Sequence, residues 1–178
     1  MVEHFDTHFT QDNPHLGEFF GQYKNMMLNW QKMKQLSQFY DKVWLSEADT
    51  IPPVDALAKL LETGEPVVTG LYASRHYPYD SNVGLGWDQL KTLAGQTVNV
   101  KRVGTGCLLI DRSILDRYEI EMDGYQHPGE VPYKKTQIDS LFSEWCIKNG
   151  VEQKAHLGVM CGHRRADGEI LWPQDFLN

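Results

Sequence analysis

Residues 40–57 read YDKVWLSEADTIPPVDAL, and this stretch decides the fold predicted for the chain. Residues 43–45 form a short apolar run that stops at Glu47 and Asp49, which predicts a buried strand with acidic side chains at its carboxyl end. The two prolines that begin at Pro52 then predict the start of a helix. A strand followed by a helix is the repeating unit of an α/β fold.

The helix that follows these prolines is predicted to return the chain to the same sheet. Gly64 is placed to end the helix in the left-handed conformation, and another apolar run follows it. We expect residues 43–46 and 67–72 to be neighbouring strands of one sheet. The acidic pair would then lie at the carboxyl edge of that sheet, where α/β folds bind their ligands.

The remaining sequence continues the alternation of strands and helices. Apolar periodicity predicts further strands over residues 1–9, 98–103, 106–110 and 156–160, helices over residues 14–39, 111–118 and 136–149, and long loops over residues 73–97 and 119–135. This alternation predicts an α/β three-layer sandwich with a mainly parallel sheet, formed by residues 1–178 as a single domain.

Composition and charge narrow the class of function. The chain is 41% hydrophobic and 23% charged, as a globular domain is, and its net charge of −7 argues against a surface for nucleic-acid phosphates. The three cysteines form no CxxC pair, which favours a reducing cytoplasm over a disulfide framework. No apolar run approaches the roughly 18 residues of a membrane span. We therefore expect a cytoplasmic protein without a nucleic-acid partner, and the oligomeric state is left open.

The acidic pair is the first candidate for chemistry. On an extended strand Glu47 and Asp49 would point to the same side, and two carboxylates at a strand end suit a hard divalent cation such as Mg²⁺ or Mn²⁺. Alternatively, both are ordinary residues of a turn ahead of a helix, where acidic residues are common. The spacing alone leaves both interpretations open.

Residues 40–57 resemble the central segment of glycosyltransferases with the GT-A fold, in which an apolar strand runs into a DxD motif, a Pro-Pro turn and a helix. The resemblance continues in order through residues 66–75 and 103–112 and into residues 161–163. It implies a metal-dependent enzyme that moves a sugar from a nucleotide-sugar donor to a hydroxyl acceptor, either a glycan or a small molecule.

The resemblance also implies a metal site. Glu47 and Asp49 match the acidic pair that holds the metal bound to the donor diphosphate, with Glu47 standing where Asp is usual. His163 matches the histidine that closes the site in several such enzymes, and an imidazole ligand favours Mn²⁺ over Mg²⁺. Taken in isolation, His163 would instead be an ordinary surface or packing histidine.

Asp139 is the candidate catalytic base. It matches the Asp of the family's Glu-Asp pair, with Ile138 in place of the Glu, and in inverting members this carboxylate takes the proton from the acceptor hydroxyl. Residues 136–139 equally fit a capping box, in which Asp139 only caps a helix. Both interpretations stay open, as does the choice between inversion and retention.

The resemblance implies that a small-residue turn, Gly104, Thr105 and Gly106, lies beneath the acceptor and donor sugar. The chemistry of their side chains makes four loop residues further candidates to contact sugar or phosphate: Arg75, Tyr77, Tyr79 and Trp87. Glycine in the turn would let the backbone approach a ligand closely, although a tight bend between strands explains it equally well. The arginine suits phosphate, and the aromatic faces suit pyranose rings, although loop aromatics are also routine core packing.

The start of the chain departs from the family. Residues 1–13 resemble the second strand of a GT-A domain, so the first strand and helix, which bind the nucleotide base, are expected to be missing. Either the donor base would lie in an abbreviated pocket, or the chain would be a fragment or remnant with an incomplete nucleotide site. Two rival functions follow. A non-catalytic glycosyltransferase-like module that binds sugar or protein is favoured by Glu47, by Ile138 and by the missing first strand and helix. A metal hydrolase is disfavoured because the sequence has no HExxH motif.

Overall fold

The computed structural model describes residues 34–35, 37–118 and 138–177. The strand predicted over residues 1–9, the loop predicted over residues 119–135 and most of the helix predicted over residues 14–39 lie outside these described residues. At the end of that predicted helix, residues 34, 35 and 37 are helical.

The described strands and helices alternate along much of the chain, so the predicted α/β class is confirmed. In chain order they are β1 (Lys42–Ser46), β2 (Thr50–Ile51), α1 (Ala56–Glu62), β3 (Val67–Leu71), α2 (Trp87–Thr92), β4 (Thr97–Val100), β5 (Cys107–Asp111), α3 (Arg112–Arg117), α4 (Ile138–Lys148), β6 (Gln153–Met160), β7 (Gly162–Arg164), β8 (Ile170–Leu171) and α5 (Gln174–Leu177).

The main sheet has five described strands in the order β1-β5-β3-β6-β4. Strands β3 and β6 are parallel, whereas β1 with β5, β5 with β3 and β6 with β4 are antiparallel. The mainly parallel sheet predicted from the sequence is therefore wrong for the described strands. Alternating strands and helices predict parallel pairs only where a helix returns the chain to the position next to the previous strand. No such helix precedes β5, which follows β4 directly in the chain.

The strands at residues 43–46 and 67–72 lie in one sheet but are not neighbours, which corrects the prediction. Both pair with β5, which lies between them, and Leu109 of β5 is opposite Trp44 on one side and Val68 on the other. Because each is antiparallel to β5, β1 and β3 run in the same direction. Their carboxyl ends therefore lie at the same edge of the sheet, as the helix between them predicts.

Alternating side chains bury both faces of the main sheet. In β5, Leu108 and Ile110 pack in an apolar cluster with residues of α3 and α4, whereas Leu109 packs in a second cluster with Leu60 of α1. Burial of each such side chain contributes about 1.5–3 kcal/mol. Helix α1 ends before Gly64, whose φ of +66° is the left-handed conformation predicted for it.

The segment predicted as a loop over residues 73–97 contains helix α2. Leu90 of this helix is buried, and Leu85 and Leu93 pack against the same core. The helix has six residues, too few for an apolar period to stand out in the sequence. In the described part of the chain, no helix is long and apolar enough to cross a membrane.

A small second sheet is formed by β2, β7 and β8. Thr50 pairs with His163 and Ile51 with Gly162, although these residues are far apart in the sequence. The sequence predicted β6 as the last strand and missed all three strands of this sheet, because strands of two or three residues are too short to show alternation. This sheet is what brings the acidic segment to His163.

Candidate metal and substrate site

The site is centred on Asp49 and His163, which the pairing of β2 with β7 brings together. Asp49 lies in the turn between β1 and β2, and Nε2 of His163 is 3.6 Å from its Oδ2. The N–H of Arg164 donates to the carbonyl oxygen of Asp49 at 2.7 Å, which ties the turn to β7. The structure thus places two residues that the sequence assigned to metal binding side by side.

The ring of His163 is held from its other side by Ala73, a residue that the sequence analysis did not single out. Nδ1 lies 2.6 Å from the carbonyl oxygen of Ala73, and because a carbonyl oxygen only accepts, Nδ1 carries a proton and donates it. The residue is 6% exposed, and its ring meets that of Tyr72 edge-on at 5.2 Å between centroids. Nε2 therefore faces Asp49, in the orientation typical of a histidine that ligates a metal.

Arg75 shares the carboxylate of Asp49, because its Nη1 donates to the same Oδ2. Burial alone would raise the pKa of Asp49, but the hydrogen bond with His163 and the charge of Arg75 outweigh it, so this pKa is lowered. Burial alone would lower the pKa of His163, but the bond to Asp49 outweighs it, so that pKa is raised. Both shifts favour a carboxylate beside an imidazolium.

Glu47 has different partners from those of Asp49. The hydroxyl of Thr105 donates to its Oε1, and its own N–H donates to the carbonyl oxygen of Gly106 at 3.3 Å. Burial raises the pKa of Glu47, and the charge of Asp49 raises it further. The extended backbone expected from Glu47 to Asp49 is wrong, because the N–H of Thr50 donates to the Glu47 carbonyl at 3.0 Å and forms a turn.

Two of the three predicted ligands fit a divalent cation. Bonds from such ions to oxygen and imidazole nitrogen are about 2.0–2.2 Å long, so one ion could contact both Asp49 and His163 across their separation of 3.6 Å. Thr50, opposite His163, adds a buried Oγ1 that has no hydrogen-bond partner among the described residues. Glu47 instead accepts a hydrogen bond from Thr105, and no group of three His, Cys, Asp or Glu side chains that could hold an ion occurs in residues 34–35, 37–118 and 138–177.

The small-residue turn packs against Tyr72, which the sequence analysis missed. A Cβ atom at Gly104 would lie 2.0 Å from the Tyr72 hydroxyl oxygen, and one at Gly106 would lie 3.0 Å from Cζ of the same ring. The N–H of Gly106 donates to that hydroxyl oxygen at 3.0 Å. Tyr72 thus excludes a side chain at Gly104, whereas at Gly106 the nearest obstacle to a Cβ is the hydroxyl oxygen of Thr50, at 2.4 Å. The available signal was position, because Tyr72 follows the apolar run of β3 just as Glu47 follows that of β1.

Asp139 lies in the first turn of α4 and faces the same region. Its Oδ1 accepts from the N–H of Ser140 at 2.7 Å, and its Oδ2 is 3.4 Å from Nη2 of Arg102. Burial is the main cause that raises the pKa of both Glu47 and Tyr72, and the negative charge of Asp139 raises both further. The carboxylate therefore accepts a hydrogen bond at the start of a helix, and its charge also raises the pKa of two residues of the site. The roles of cap and base both remain open. Residues 136 and 137 of the predicted capping box lie outside the described residues.

The loop after β3 carries both Arg75 and an exposed aromatic side chain. Two residues beyond Arg75, Tyr77 is 86% exposed, and its ring meets that of Tyr79 edge-on at 5.8 Å. Trp87 instead stacks on Phe176 with 4.8 Å between ring centroids, and its Nε1 donates to the carbonyl oxygen of Tyr79. Trp87 therefore packs within the fold, whereas Tyr77 is open to a ligand.

Comparisons with known proteins bear on the fold. No protein-family model matches this sequence, and no curated protein matches it. Among solved structures, the chain is similar to the crystal structure of A197 from STIV, with a TM-score of 0.53 and 13% identity, covering 84% of this chain and 74% of that one. A likeness at this level of identity shows shared fold and carries nothing about activity.

Proposed function

We propose that this protein is a metal-dependent glycosyltransferase with a GT-A-like three-layer fold, which moves a sugar from a nucleotide-sugar donor to the hydroxyl of a glycan or small molecule. The observation that carries the proposal is the separation of 3.6 Å between Asp49 Oδ2 and His163 Nε2. These residues are distant in the sequence, and they are two of the ligands that the glycosyltransferase resemblance implies.

The donor side of the proposed site consists of Asp49, His163 and Arg75. Asp49 and His163 would hold the metal, with Mn²⁺ favoured over Mg²⁺ because one ligand is an imidazole. When bound, the metal would offset the negative charge that develops on the leaving diphosphate. The guanidinium of Arg75, beside Asp49, has the planar donor geometry that suits phosphate oxygens.

The acceptor side rests on Asp139 and Tyr77. Asp139 would take the proton of the acceptor hydroxyl while the hydroxyl oxygen forms its bond to the anomeric carbon and the bond from that carbon to the diphosphate breaks. Arg102, 3.4 Å from Asp139 Oδ2, would orient the carboxylate. Tyr77, exposed on the loop that carries Arg75, would pack its ring on a pyranose of the acceptor.

A non-catalytic module that binds sugar or protein is the second candidate. Two contacts favour it, because Asp49 is already paired with Arg75 and Glu47 is already bonded to Thr105. The raised pKa of Glu47, caused first by burial, also disfavours the charged form that a metal ligand needs. In such a module these contacts would be permanent.

Donor hydrolysis separates the two candidates. The purified chain is incubated with Mn²⁺ and a panel of nucleotide sugars, and release of the nucleoside diphosphate is followed with time. A glycosyltransferase hydrolyses its donor slowly when no acceptor is present, whereas a binding module gives no turnover. Turnover that requires Mn²⁺ supports the proposal, and no turnover with any donor favours the module.

Calorimetry with Mn²⁺ tests the metal site independently of turnover. Asp49→Ala and His163→Ala should each weaken binding about tenfold or more, because each removes a direct ligand. Asp55→Ala is the matched control, since Asp55 pairs with Lys59 at 2.9 Å at the exposed start of α1. Unchanged Mn²⁺ affinity in either site variant would remove that residue from the site.

A further inference from the structure

Without a metal, the negative charge of Asp49 is already matched by a cation of the chain itself. Nη1 of Arg75 donates to Asp49 Oδ2, and the same oxygen lies 3.6 Å from His163 Nε2. An ion that lay between Asp49 and His163 would contact this same oxygen, because Oδ2 is the oxygen that lies 3.6 Å from Nε2. Arg75 and the metal would therefore compete for one atom.

Arg75 is anchored through its loop, whereas its side chain has a single described partner. The loop is closed by the N–H of Ser74, which donates to the carbonyl oxygen of Asp80 at 2.7 Å. The side chain of Arg75 is 32% exposed. Within the part of the chain that the structure describes, Asp49 is the one group to which its guanidinium donates. The long side chain can therefore leave Asp49 without any change in the backbone of the loop.

We propose that Arg75 is an exchangeable cation, which pairs with Asp49 until a divalent metal binds and then moves to the phosphate oxygens of the donor. This inference rests on the metal site of the proposed function. A doubly charged ion outcompetes a single guanidinium for the carboxylate. The released guanidinium lies beside the metal, where it can bind two phosphate oxygens at once.

The exchange predicts that Arg75 has opposite effects on the affinity for metal and on the affinity for diphosphate. Because Arg75 must leave Asp49 first, it weakens the binding of a metal that arrives alone. Once the metal is in place, the same residue strengthens the binding of a diphosphate. An arginine that only stabilised the loop would favour both, since Ala73 of this loop also holds His163.

Calorimetry on the whole chain tests this prediction with two probes. MnCl₂ is titrated alone, and imidodiphosphate, a diphosphate without a nucleoside, is then titrated at saturating Mn²⁺. Arg75→Ala should bind Mn²⁺ alone about fivefold more tightly, the size expected when a partly exposed ion pair is removed. The same variant should bind imidodiphosphate about tenfold more weakly, because a charge-assisted double contact is lost.

Two further variants make the test specific. Arg75→Gln keeps most of the side-chain length without the charge, so it should change both affinities in the same directions as Arg75→Ala. It replaces Arg75→Ala in the test if that variant does not fold. Arg112→Ala is the matched control, because Arg112 pairs with Asp116 within α3. Helix α3 follows the carboxyl end of β5, whereas the turn at Gly106 precedes the opposite end of that strand. It should change neither affinity.

The outcomes separate this inference from the proposed function. Weaker Mn²⁺ binding in both Arg75 variants, or unchanged imidodiphosphate binding, overturns the exchange and leaves the metal site standing. Wild-type affinity for Mn²⁺ in His163→Ala overturns the metal site and the exchange with it. Binding of Mn²⁺ by Arg75→Ala but not by the wild type would support both.

Discussion

Replacing Gly104 by alanine tests the packing of the small-residue turn against Tyr72. The added Cβ would lie 2.0 Å from the Tyr72 hydroxyl oxygen and 2.8 Å from Cζ, closer than real Cβ contacts. Tyr72 is 7% exposed and accepts a hydrogen bond from Gly106, so the ring cannot retreat without losing that bond. Overpacking costs about 1–3 kcal/mol, and the lost bond adds about 1 kcal/mol. We expect Gly104→Ala to lower the free energy of unfolding by about 2–4 kcal/mol.

Urea unfolding followed by tryptophan fluorescence measures this change. Gly86→Ala is the matched control, because its Cβ would come no closer than 3.8 Å to a non-neighbouring atom and its φ of −67° suits alanine. It should change the free energy of unfolding by less than about 1 kcal/mol. Tyr72→Phe removes the atom in closest contact, so Gly104→Ala should cost less in that background than in the wild type.

A Gly104→Ala protein that unfolds at the wild-type urea concentration would refute the packing argument. If Gly104 only lets a ligand approach, as the resemblance suggested, the variant would instead bind donor more weakly and keep its stability. An equal cost in both backgrounds would show that the tyrosine hydroxyl is not what excludes a side chain at this position.

Three further predictions concern the proposed site. Asp139→Asn should lower turnover about 10²-fold or more with little change in melting temperature, because Asn still accepts the Ser140 N–H but cannot take a proton; full turnover would leave Asp139 as a helix-end residue. Because the pKa of Asp49 is lowered on folding, its stabilisation is present above the ordinary value of 3.8 and is lost as pH falls through the folded pKa. The difference in free energy of unfolding between wild type and Asp49→Asn should therefore shrink from about pH 5 to about pH 2, and a constant difference would contradict this. Tyr77→Ala should raise the acceptor KM about tenfold without changing donor hydrolysis, and an unchanged KM would show that Tyr77 does not bind the acceptor.

Much of the local structure could be predicted because it depends on residues close together in the chain. The apolar run ahead of Glu47 is β1, and Gly64 lies just after α1 in the left-handed conformation that ends such helices. The prediction failed where an element is short, as with α2, or where a strand enters the sheet out of order, as with β5. Neither local propensity nor apolar period carries that information.

The residues of the candidate site also fall into those that the sequence indicated and those that it missed. The resemblance pointed to Asp49 and His163, and side-chain chemistry pointed to Arg75. The structure places Arg75 and His163 beside one carboxylate oxygen of Asp49. The sequence analysis missed Tyr72, whose position after β3 was the available signal, and Ala73, because the bond of a backbone carbonyl leaves no pattern in the sequence. Their roles come from packing between segments that are separate in the chain.

The sequence by itself determined the α/β class, most of the longer strands and helices, and the acidic turn after β1, because these follow from the preferences of adjacent residues. Only the tertiary structure decided that β5 separates β1 from β3, that Glu47 turns to Thr105, and that the pairing of Thr50 with His163 brings an imidazole to Asp49. The physical reason is that strand pairing and burial join residues that are remote in the chain, and their free energy depends on all of the surrounding packing at once.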